Sequence, residues 1–557
     1  MDILKIVPEP SIFHIEKDKK YPFDGFSNFP LFLREEFNIP YGRWKIEKIE
    51  RGGNGISIED GVVRIWGDEY VGYATIIQII KQTERYIPAL KLEEKFNFSF
   101  RGYHLDIARG GVPTLKTFKG ILRWLFLLKY NYFGIYFEDL FPWKYDPQIG
   151  KGRGRLTEEE LDEVIGYGKK LGIEVFPSLE LTGHMEHILT LPKYREYSEW
   201  HRPWEGCLDL SNSRAREFAI NLLEEVCEYF PSHYIHIGGD ETWALGRGKS
   251  LNKRWIFRGD ELYKEHYKDM INVVSEYNKK PIMWGDMLTG VYLTPDERKR
   301  WSHVLEDNLW DRVTIANWDY TKGDKSHFLK IIDSFGETRK LNQIVAPGLS
   351  DWNTFYPNFE TALINIKNFL DVAKEEGIRG FLLTSWGDDG KESLFSFLDP
   401  LILATMEIAE GNSKWEEKWK ILADENDEVL RARKLFGGSP IATPLLKRAL
   451  FGNTKSFNIS YTLPISPLSE KEREEYKEKV ENVLSNIGDS PLPSDLDFIK
   501  RLGEVSLLNI KNRAKKEDFI ELSERYAKLW LEERKAEGLE RAIERFWGLA
   551  GMVDIFG

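Results

Sequence analysis

Two adjacent carboxylates, Asp240 and Glu241, are the strongest candidates for chemistry in this sequence. They follow an apolar run and two glycines, in the segment Tyr234-Ile-His-Ile-Gly-Gly-Asp-Glu-Thr-Trp243. This pattern predicts a β-strand that opens into a loop at the carboxylate pair, where the glycines permit a tight turn. Carboxyl groups held in a cleft can act as general acid, general base or stabilising anion. A bare Gly-Gly-Asp-Glu is also typical of a solvated acidic turn or of a helix N-terminus.

The elements that would position this pair are eight alternating strand and helix patterns that begin at residue 97. Amphipathic helices are predicted between the strands, for example at residues 157–171, where Thr157 is the N-cap and Glu160 closes a capping box, and at residues 358–376, ahead of Gly377. The order predicts an α/β fold, a (β/α)8 TIM barrel, whose active sites lie at the carboxyl ends of the strands. The predicted strands are 102–107, 133–137, 173–179, 234–238, 281–284, 313–317, 343–346 and 380–384.

A chain of 557 residues is too long for one ordinary domain. We predict an N-terminal α+β domain at residues 1–96, a catalytic barrel at 97–411 and a helical C-terminal domain at 412–557. The first segment shows alternating strand patterns, and the last is rich in Glu, Lys and Leu with helical periodicity. The final helix, predicted near residues 516–549, could pack on the barrel or on a second subunit.

Composition excludes several classes of function. The formal net charge of −12 lacks the basic surface that nucleic-acid binding requires. No apolar run is long enough to span a bilayer, and the two cysteines and the polar start favour a cytoplasmic location. Neither a phosphate-binding loop nor a zinc-protease histidine motif is present, so we expect no cofactor and no metal. The aromatic fraction of 13% suits either stacking on sugar rings or an aromatic core.

The longer pattern His236-x-Gly-Gly-Asp-Glu241 resembles the signature of the glycoside hydrolase family 20 β-N-acetylhexosaminidases. The segment Arg101-Gly-Tyr-His-Leu-Asp106, followed by Arg109, is similar to the family's first-strand motif and implies that Arg101 binds the hydroxyls of the terminal sugar. Segments 136–143 and 153–160 are similar to the smaller intracellular bacterial members. The resemblance therefore covers most of the predicted barrel.

The same resemblance implies further residues of a sugar site. Leu181-Thr-Gly-His184 is similar to the family's third-strand segment and implies that His184 contacts the sugar, although Thr182 stands where many members have proline. The other implied residues are Trp284, Trp318 and Trp386 as walls of the pocket for the acetamido group, Asp388 as a partner of a sugar hydroxyl, and either Tyr320 or Tyr356 as a pocket tyrosine. Any one of these tryptophans could instead be a core residue, but all three fall at predicted strand ends.

By resemblance, the protein is an exo-acting, retaining β-N-acetylhexosaminidase that releases terminal β-linked GlcNAc or GalNAc from a small or oligosaccharide substrate. The acetamido oxygen of the sugar would act as nucleophile, Glu241 as acid and base, and Asp240 as the stabilising anion. The charge of Asp240 is expected to raise the pKa of Glu241. Two alternatives stay open: a glycosidase with a conventional nucleophile such as Glu180 or Asp286, and a non-catalytic sugar-binding barrel. A homodimer is also expected by analogy with related enzymes.

Overall fold

A computed structural model describes residues 4–83, 85–289, 295–388, 390–452, 465–488 and 491–556. A five-stranded sheet comes first, a closed barrel of eight parallel strands follows, and helices make up the rest. The prediction of a (β/α)8 barrel is confirmed. Within the described residues, no helix combines the length and the apolar character needed to cross a membrane.

The N-terminal sheet has the strand order β1-β5-β3-β4-β2. Its pairs are antiparallel except for β2 with β4. Helix α2 covers the sheet with an apolar face, and Asp68 caps its first turn by accepting a hydrogen bond from the Tyr70 backbone N–H. The elements of this region are Ile12–Pro22 (β1), Leu31–Glu36 (α1), Lys45–Lys48 (β2), Asn54–Glu59 (β3), Val62–Trp66 (β4), Glu69–Gln82 (α2) and Tyr86–Glu94 (β5).

The barrel closes where its last strand pairs in parallel with its first, with Gly380 opposite Phe100. Its strands are almost entirely buried, as expected of parallel strands with helices packed outside them. They are Phe100–Asp106 (β6), Tyr132–Tyr136 (β7), Glu174–Ser178 (β8), Tyr234–His236 (β9), Lys280–Trp284 (β10), Thr314–Trp318 (β11), Gln343–Ala346 (β12) and Gly380–Ser385 (β13).

The helices of the barrel region follow from local signals in the sequence. Thr157 and Glu160 form the predicted capping box, with the Glu160 backbone N–H donating to Thr157 Oγ1 at 3.1 Å. The helices are Leu115–Leu127 (α3), Glu158–Lys170 (α4), Glu186–Leu189 (α5), Ser213–Tyr229 (α6), Lys249–Arg254 (α7), Gly259–Glu276 (α8), Asp286–Thr289 (α9), Pro295–Leu305 (α10), Lys325–Asp333 (α11), Phe359–Glu375 (α12) and Asp399–Ala409 (α13).

In the described part of the chain, seven helices follow the barrel, and the prediction of one long final helix is wrong. The predicted helix is interrupted between α19 and α20. There the backbone of Arg534 is extended, and Gly538 has a φ of +92°, a conformation that favours glycine. The seven helices are Trp415–Leu422 (α14), Asp427–Gly437 (α15), Pro444–Phe451 (α16), Glu470–Ile487 (α17), Ser494–Ile510 (α18), Lys516–Glu533 (α19) and Leu539–Phe556 (α20). The division of the chain at residues 96 and 411 stays a prediction.

Candidate active site

The turn after β9 places Asp240 and Glu241 at the carboxyl end of the barrel. Gly238 has a φ of +66°, and a Cβ there would lie 2.2 Å from Glu180 Oε2, so that no larger residue fits. The Asp240 side chain is 10% exposed and that of Glu241 is 31% exposed. Glu241 itself has a left-handed φ of +46°, a conformation that the backbone N–H supports by donating to Asp286 Oδ2 at 3.0 Å.

His184 joins the two carboxylates from the loop after β8. Its Nε2 lies 3.5 Å from Asp240 Oδ2 and 3.5 Å from Glu241 Oε2. Burial alone lowers the pKa of His184, but the nearby negative charge of Asp240 outweighs it and holds the pKa well above the usual range. Burial likewise raises the pKa of Asp240, and the charge of His184 reverses that effect and leaves it lowered. The site therefore holds an imidazolium beside an ionised Asp240.

The pKa of Glu241 is raised, opposite to that of Asp240. Burial is the largest cause that raises the pKa of Glu241, and the negative charge of Asp240 adds to it. The sequence-based expectation of a raised pKa therefore has the right direction, although burial contributes more than the neighbouring charge. Of two adjacent carboxyl groups, one is kept ionised and the other is pushed toward its protonated form, which is the arrangement that separates an anion from an acid.

Glu180 lies beneath Asp240 and contacts it. Glu180 Oε2 accepts a hydrogen bond from the Gly239 backbone N–H at 3.2 Å. With both carboxyls ionised, neither Glu180 Oε1 nor Asp240 Oδ1 has a hydrogen-bond donor among the described residues. Burial and the charge of Asp240 raise the pKa of Glu180 well above its usual range. A protonated Glu180 that donates to Asp240 satisfies both oxygens and holds Asp240 in place.

The arginine of the pocket is Arg109, and the prediction of Arg101 as the sugar ligand is wrong. Arg101 is the second residue of β6, about 16 Å from the carboxyl end of that strand at 3.3 Å per residue. Its guanidinium donates to the backbone oxygens of Lys129 and Phe98. Arg109 lines the pocket instead, with Nη1 2.9 Å from Asp106 Oδ2.

Arg109 also connects two other acidic groups to the site. Its Nε lies 3.2 Å from Glu138 Oε1, and its Nη1 lies 4.0 Å from Asp388 Oδ1. Burial raises the pKa of Glu138 to about 8, although Arg109 opposes that shift. Asp388 lines the pocket with its side chain 46% exposed, as expected of a residue that meets a ligand rather than the core.

Aromatic rings form the opposite wall of a cavity of about 260 Å³. Trp318 and Tyr320 are stacked with centroids 5.1 Å apart, and the Trp386 Nε1–H donates to the Tyr320 hydroxyl at 2.7 Å. The structure thereby places Tyr320, and not Tyr356, at the pocket. Tyr356 is fully buried against Phe397, away from the cavity.

Two tryptophans differ from the expectations. Trp284 is fully buried below the cavity, with its ring 4.3 Å from that of His236 and 5.7 Å from that of Trp386, so it is part of the floor and not a wall. Trp352, which the sequence reasoning missed, lines the cavity with its ring 4.9 Å from Tyr320. The only signal for Trp352 was its place in the segment that follows β12.

Among the described residues, two groups of side chains could supply three metal ligands each, with ligand atoms within 4.8 Å of one another. They are His184 with Asp240 and Glu241, and Glu138 with Glu186 and His187. Arg109 lies between the groups, with Nη2 3.4 Å from His184 Nδ1 and Nε 3.2 Å from Glu138. Because this guanidinium already supplies a positive charge to both groups, the donor set favours an organic ligand over a cation.

Comparison with known proteins gives a family match over the part of the barrel that holds this site. Residues 98–329 match the family described as "Glycosyl hydrolase family 20, catalytic domain". The chain is 27% identical over 302 residues to a beta-hexosaminidase of Vibrio furnissii, covering 43% of this chain and 49% of that one. It is 24% identical over 305 residues to human hexosaminidase D, covering 52% and 60%. The chain thus spans about half to three fifths of the length of these relatives.

Solved structures resemble the whole fold. The exo β-N-acetylglucosaminidase of Vibrio harveyi, solved with N-acetylglucosamine, aligns with a TM-score of 0.57 at 15% identity, over 75% of this chain and 76% of that one. A chitobiase of Flavobacterium johnsoniae aligns with the same TM-score and identity over 98% and 99%. At such low identity these likenesses concern the fold, whereas the family match covers the loops that carry Arg109, His184, Asp240 and Glu241. Within the barrel, residues 98–329 are therefore similar to the catalytic domain of glycosyl hydrolase family 20.

Proposed function

We propose that this protein is an exo-acting, retaining β-N-acetylhexosaminidase that releases terminal β-linked GlcNAc or GalNAc with the help of the substrate's own acetamido group. The observation that carries the proposal is the pairing, in one aromatic cavity, of a buried Asp240 with a lowered pKa and a partly exposed Glu241 with a raised pKa. An acid and an anion are the two groups that substrate-assisted hydrolysis requires of the protein.

The chemistry follows from these two groups. Glu241 donates its proton to the leaving oxygen while the acetamido oxygen attacks the anomeric carbon, and the bond to the aglycone breaks. The resulting oxazolinium is positively charged, and Asp240 stabilises it by accepting a hydrogen bond from the acetamido N–H. Glu241, now ionised, then accepts a proton from the water that opens the ring. Two displacements at the same carbon retain its configuration.

The separation of the two carboxyls does not by itself exclude a carboxylate nucleophile. One oxygen of Asp240 lies within 4.8 Å of one of Glu241, close to the distance of about 5 Å found in conventional retaining enzymes. The surroundings of Asp240 favour the stabilising role, because its oxygens face His184 and Glu180 on the floor of the cavity.

The other candidate nucleophiles, Asp286 and Glu180, are engaged in contacts within the protein. Asp286 accepts hydrogen bonds at both oxygens, from the Glu241 backbone N–H and from Trp318 Nε1. Glu180 is fully buried beneath Asp240. Neither residue lines the cavity. These contacts support the sugar itself as the source of the attacking atom.

The walls of the cavity suit one terminal sugar. Trp318, Tyr320, Trp352 and Trp386 offer apolar faces and a hydroxyl to an acetamido group. Arg109 and Asp388 offer charged donors and acceptors to ring hydroxyls on the other side. A cavity of about 260 Å³ is small, near the lower end of ligand sites, and suits the removal of one sugar at a time.

The proposal extends to the subgroup of the enzyme, its cellular location and its oligomeric state. The segments at 136–143 and 153–160 support membership of the subgroup of smaller intracellular bacterial enzymes; in the structure they meet where Arg153 pairs with Asp139 at 2.5 Å. Buried, unpaired Cys207 and Cys227 are compatible with a reducing, cytoplasmic location. A homodimer is proposed from the analogy alone, and its mass in solution would test it.

A kinetic panel tests the proposed function. Purified protein is expected to hydrolyse aryl β-N-acetylglucosaminide or β-N-acetylgalactosaminide with a kcat/KM at least about 10²-fold above that for the plain aryl β-glucoside, because the glucoside lacks the attacking group. Equal or faster hydrolysis of the glucoside would point to a conventional nucleophile. Binding of the sugars without any hydrolysis would point to a non-catalytic sugar-binding barrel.

A further inference from the structure

A short segment between two C-terminal helices lies at the catalytic end of the barrel, next to further contacts such as the hydrogen bond from the Tyr526 hydroxyl to the Glu392 carbonyl oxygen. Helix α19 ends at Glu533 and α20 begins at Leu539, and we name the six residues from 533 to 538 the clasp. The Arg534 side chain within it is buried, with the residue 1% exposed. The clasp lies against two loops of the barrel, residues 107–114 after β6 and residues 386–388 and 390–398 after β13.

Backbone contacts hold the first of these loops. The Thr114 N–H donates to the Glu533 carbonyl oxygen at 3.0 Å, and the Lys535 N–H donates to the Val112 oxygen at 2.9 Å. Pro113 and Arg534 thus face each other in a single antiparallel bridge. The clasp, which is more than 400 residues away in the sequence, is therefore hydrogen-bonded to the loop after β6 in the manner of a paired β-strand.

Side chains of the clasp hold the second loop. The Glu533 carboxylate accepts hydrogen bonds from the backbone N–H groups of Phe395 and Ser396 at 2.8 and 3.0 Å. The Arg534 guanidinium donates to the carbonyl oxygens of Lys391, at 2.8 Å, and of Ser393. Charge-assisted bonds to buried or partly buried groups are strong and fix the geometry of the loop.

The two loops carry one half of the pocket. Arg109 lies on the first loop, and Trp386 and Asp388 lie on the second. They are joined by the Gly387 N–H, which donates to Asp106 Oδ2 at 2.7 Å, and Lys391 Nζ donates to the Trp386 carbonyl oxygen at 3.0 Å. A shift of either loop would therefore move the groups that face the sugar hydroxyls.

We infer that Glu533 and Arg534 are positioning residues for substrate recognition, and that the C-terminal helices set the placement of Arg109 and Asp388 in the pocket. This inference rests on the proposed function for the identity of the substrate. Asp240 and Glu241 lie on a different loop, which the clasp does not hold. In the described part of the chain, no hydrogen bond joins the clasp to residues 237–248, the loop that carries Asp240 and Glu241.

The inference predicts an effect on recognition that is separable from the effect on chemistry. Arg534→Lys keeps the charge but cannot bond two carbonyls in a fork, and Glu533→Gln leaves one backbone N–H without an acceptor. Each variant is expected to raise KM for an aryl β-N-acetylhexosaminide by about fivefold or more while kcat stays within about twofold. Arg525→Lys is the matched control, since Arg525 lies on α19 and, among the described residues, its ion pairs are with Asp497 and Glu521.

A merely structural role would give a different result. Partial unfolding reduces the number of active molecules and so lowers the apparent kcat, while the KM of the remaining molecules stays unchanged. That pattern, or wild-type kinetics in both variants, would overturn the inference. The Arg525→Lys protein is expected to match the wild type in both constants.

Amide hydrogen exchange provides a readout that does not need turnover. Arg534→Lys is expected to speed exchange in residues 107–114 and 390–398 and to leave residues 237–248 unchanged. Unchanged exchange in both loops would overturn the inference even if the enzyme is active. If the wild type hydrolyses no hexosaminide, the proposed function fails, and the exchange result still decides whether the clasp positions the two loops.

Discussion

Replacing Glu241 with glutamine, or Asp240 with asparagine, is expected to lower kcat on an aryl β-N-acetylhexosaminide by at least about 10²-fold. Glutamine cannot donate a proton to the leaving oxygen, and asparagine supplies no charge to stabilise the oxazolinium. Both substitutions preserve side-chain size, so the fold should persist. Glu217→Gln, which alters an exposed carboxyl on α6, is the control and should be as active as the wild type.

The two variants should differ in their dependence on the leaving group. An aglycone that departs easily needs little protonation, so Glu241→Gln should lose less activity on a nitrophenyl substrate than on an alkyl one. Asp240→Asn should lose similar activity on both, because its role is at the other side of the reacting carbon. Near wild-type rates for either variant would contradict the assignment of the pair.

The pH dependence of the wild type gives the same pair a second signature. The acid form of Glu241 must be present in the free enzyme, and burial with the charge of Asp240 raises its pKa. The value of kcat/KM should therefore be maintained above pH 4.5, the ordinary pKa of a glutamate. It should fall as the pH rises through the raised pKa of Glu241. In Glu241→Gln this falling limb should disappear from the profile.

Replacing Arg109 with lysine is expected to lower kcat/KM by about tenfold or more, with the loss mainly in KM. The guanidinium makes contacts with Asp106 and Glu138 while facing Asp388, and a lysine cannot reproduce that fork. Arg101→Lys is the matched comparison. Because Arg101 donates to backbone oxygens at the far end of the strand, its replacement should lower the melting temperature without raising KM.

The outcome of that comparison separates two assignments of the sugar-binding arginine. A raised KM in Arg101→Lys together with unchanged kinetics in Arg109→Lys would contradict the geometry of the pocket. Both melting temperatures should be recorded, since Arg109 also neutralises the buried Asp106, and some loss of stability is expected there.

The sequence predicted the barrel well because its signals are local. Apolar runs of four to seven residues recur eight times, and the strands fall within two residues of the predicted bounds. The break between α19 and α20 was missed, since Arg534 and Lys535 are held out of helix geometry by hydrogen bonds to distant loops.

The sequence predicted correctly the site residues that lie in loops after the strands. It predicted the wrong arginine, because one motif contains two arginines that could bind the sugar. Asp240, Glu241 and His184 meet because the loops that carry them follow β9 and β8, which are neighbouring strands of the barrel. Arg101 and Arg109 lie in one motif, and only the length of β6 decides which one reaches the carboxyl end. Trp352 lies six residues beyond β12, where its position depends on loop packing that no sequence period encodes.

The central claim is that the acetamido oxygen of the substrate performs the first attack. A thiazoline fused to the sugar, which mimics the oxazolinium, tests it most directly through its inhibition constant against the purified enzyme. We expect this compound to bind at least about 10²-fold more tightly than N-acetylglucosamine, since it matches the charge that Asp240 is placed to stabilise. Inhibition no stronger than that by the free sugar would contradict the account.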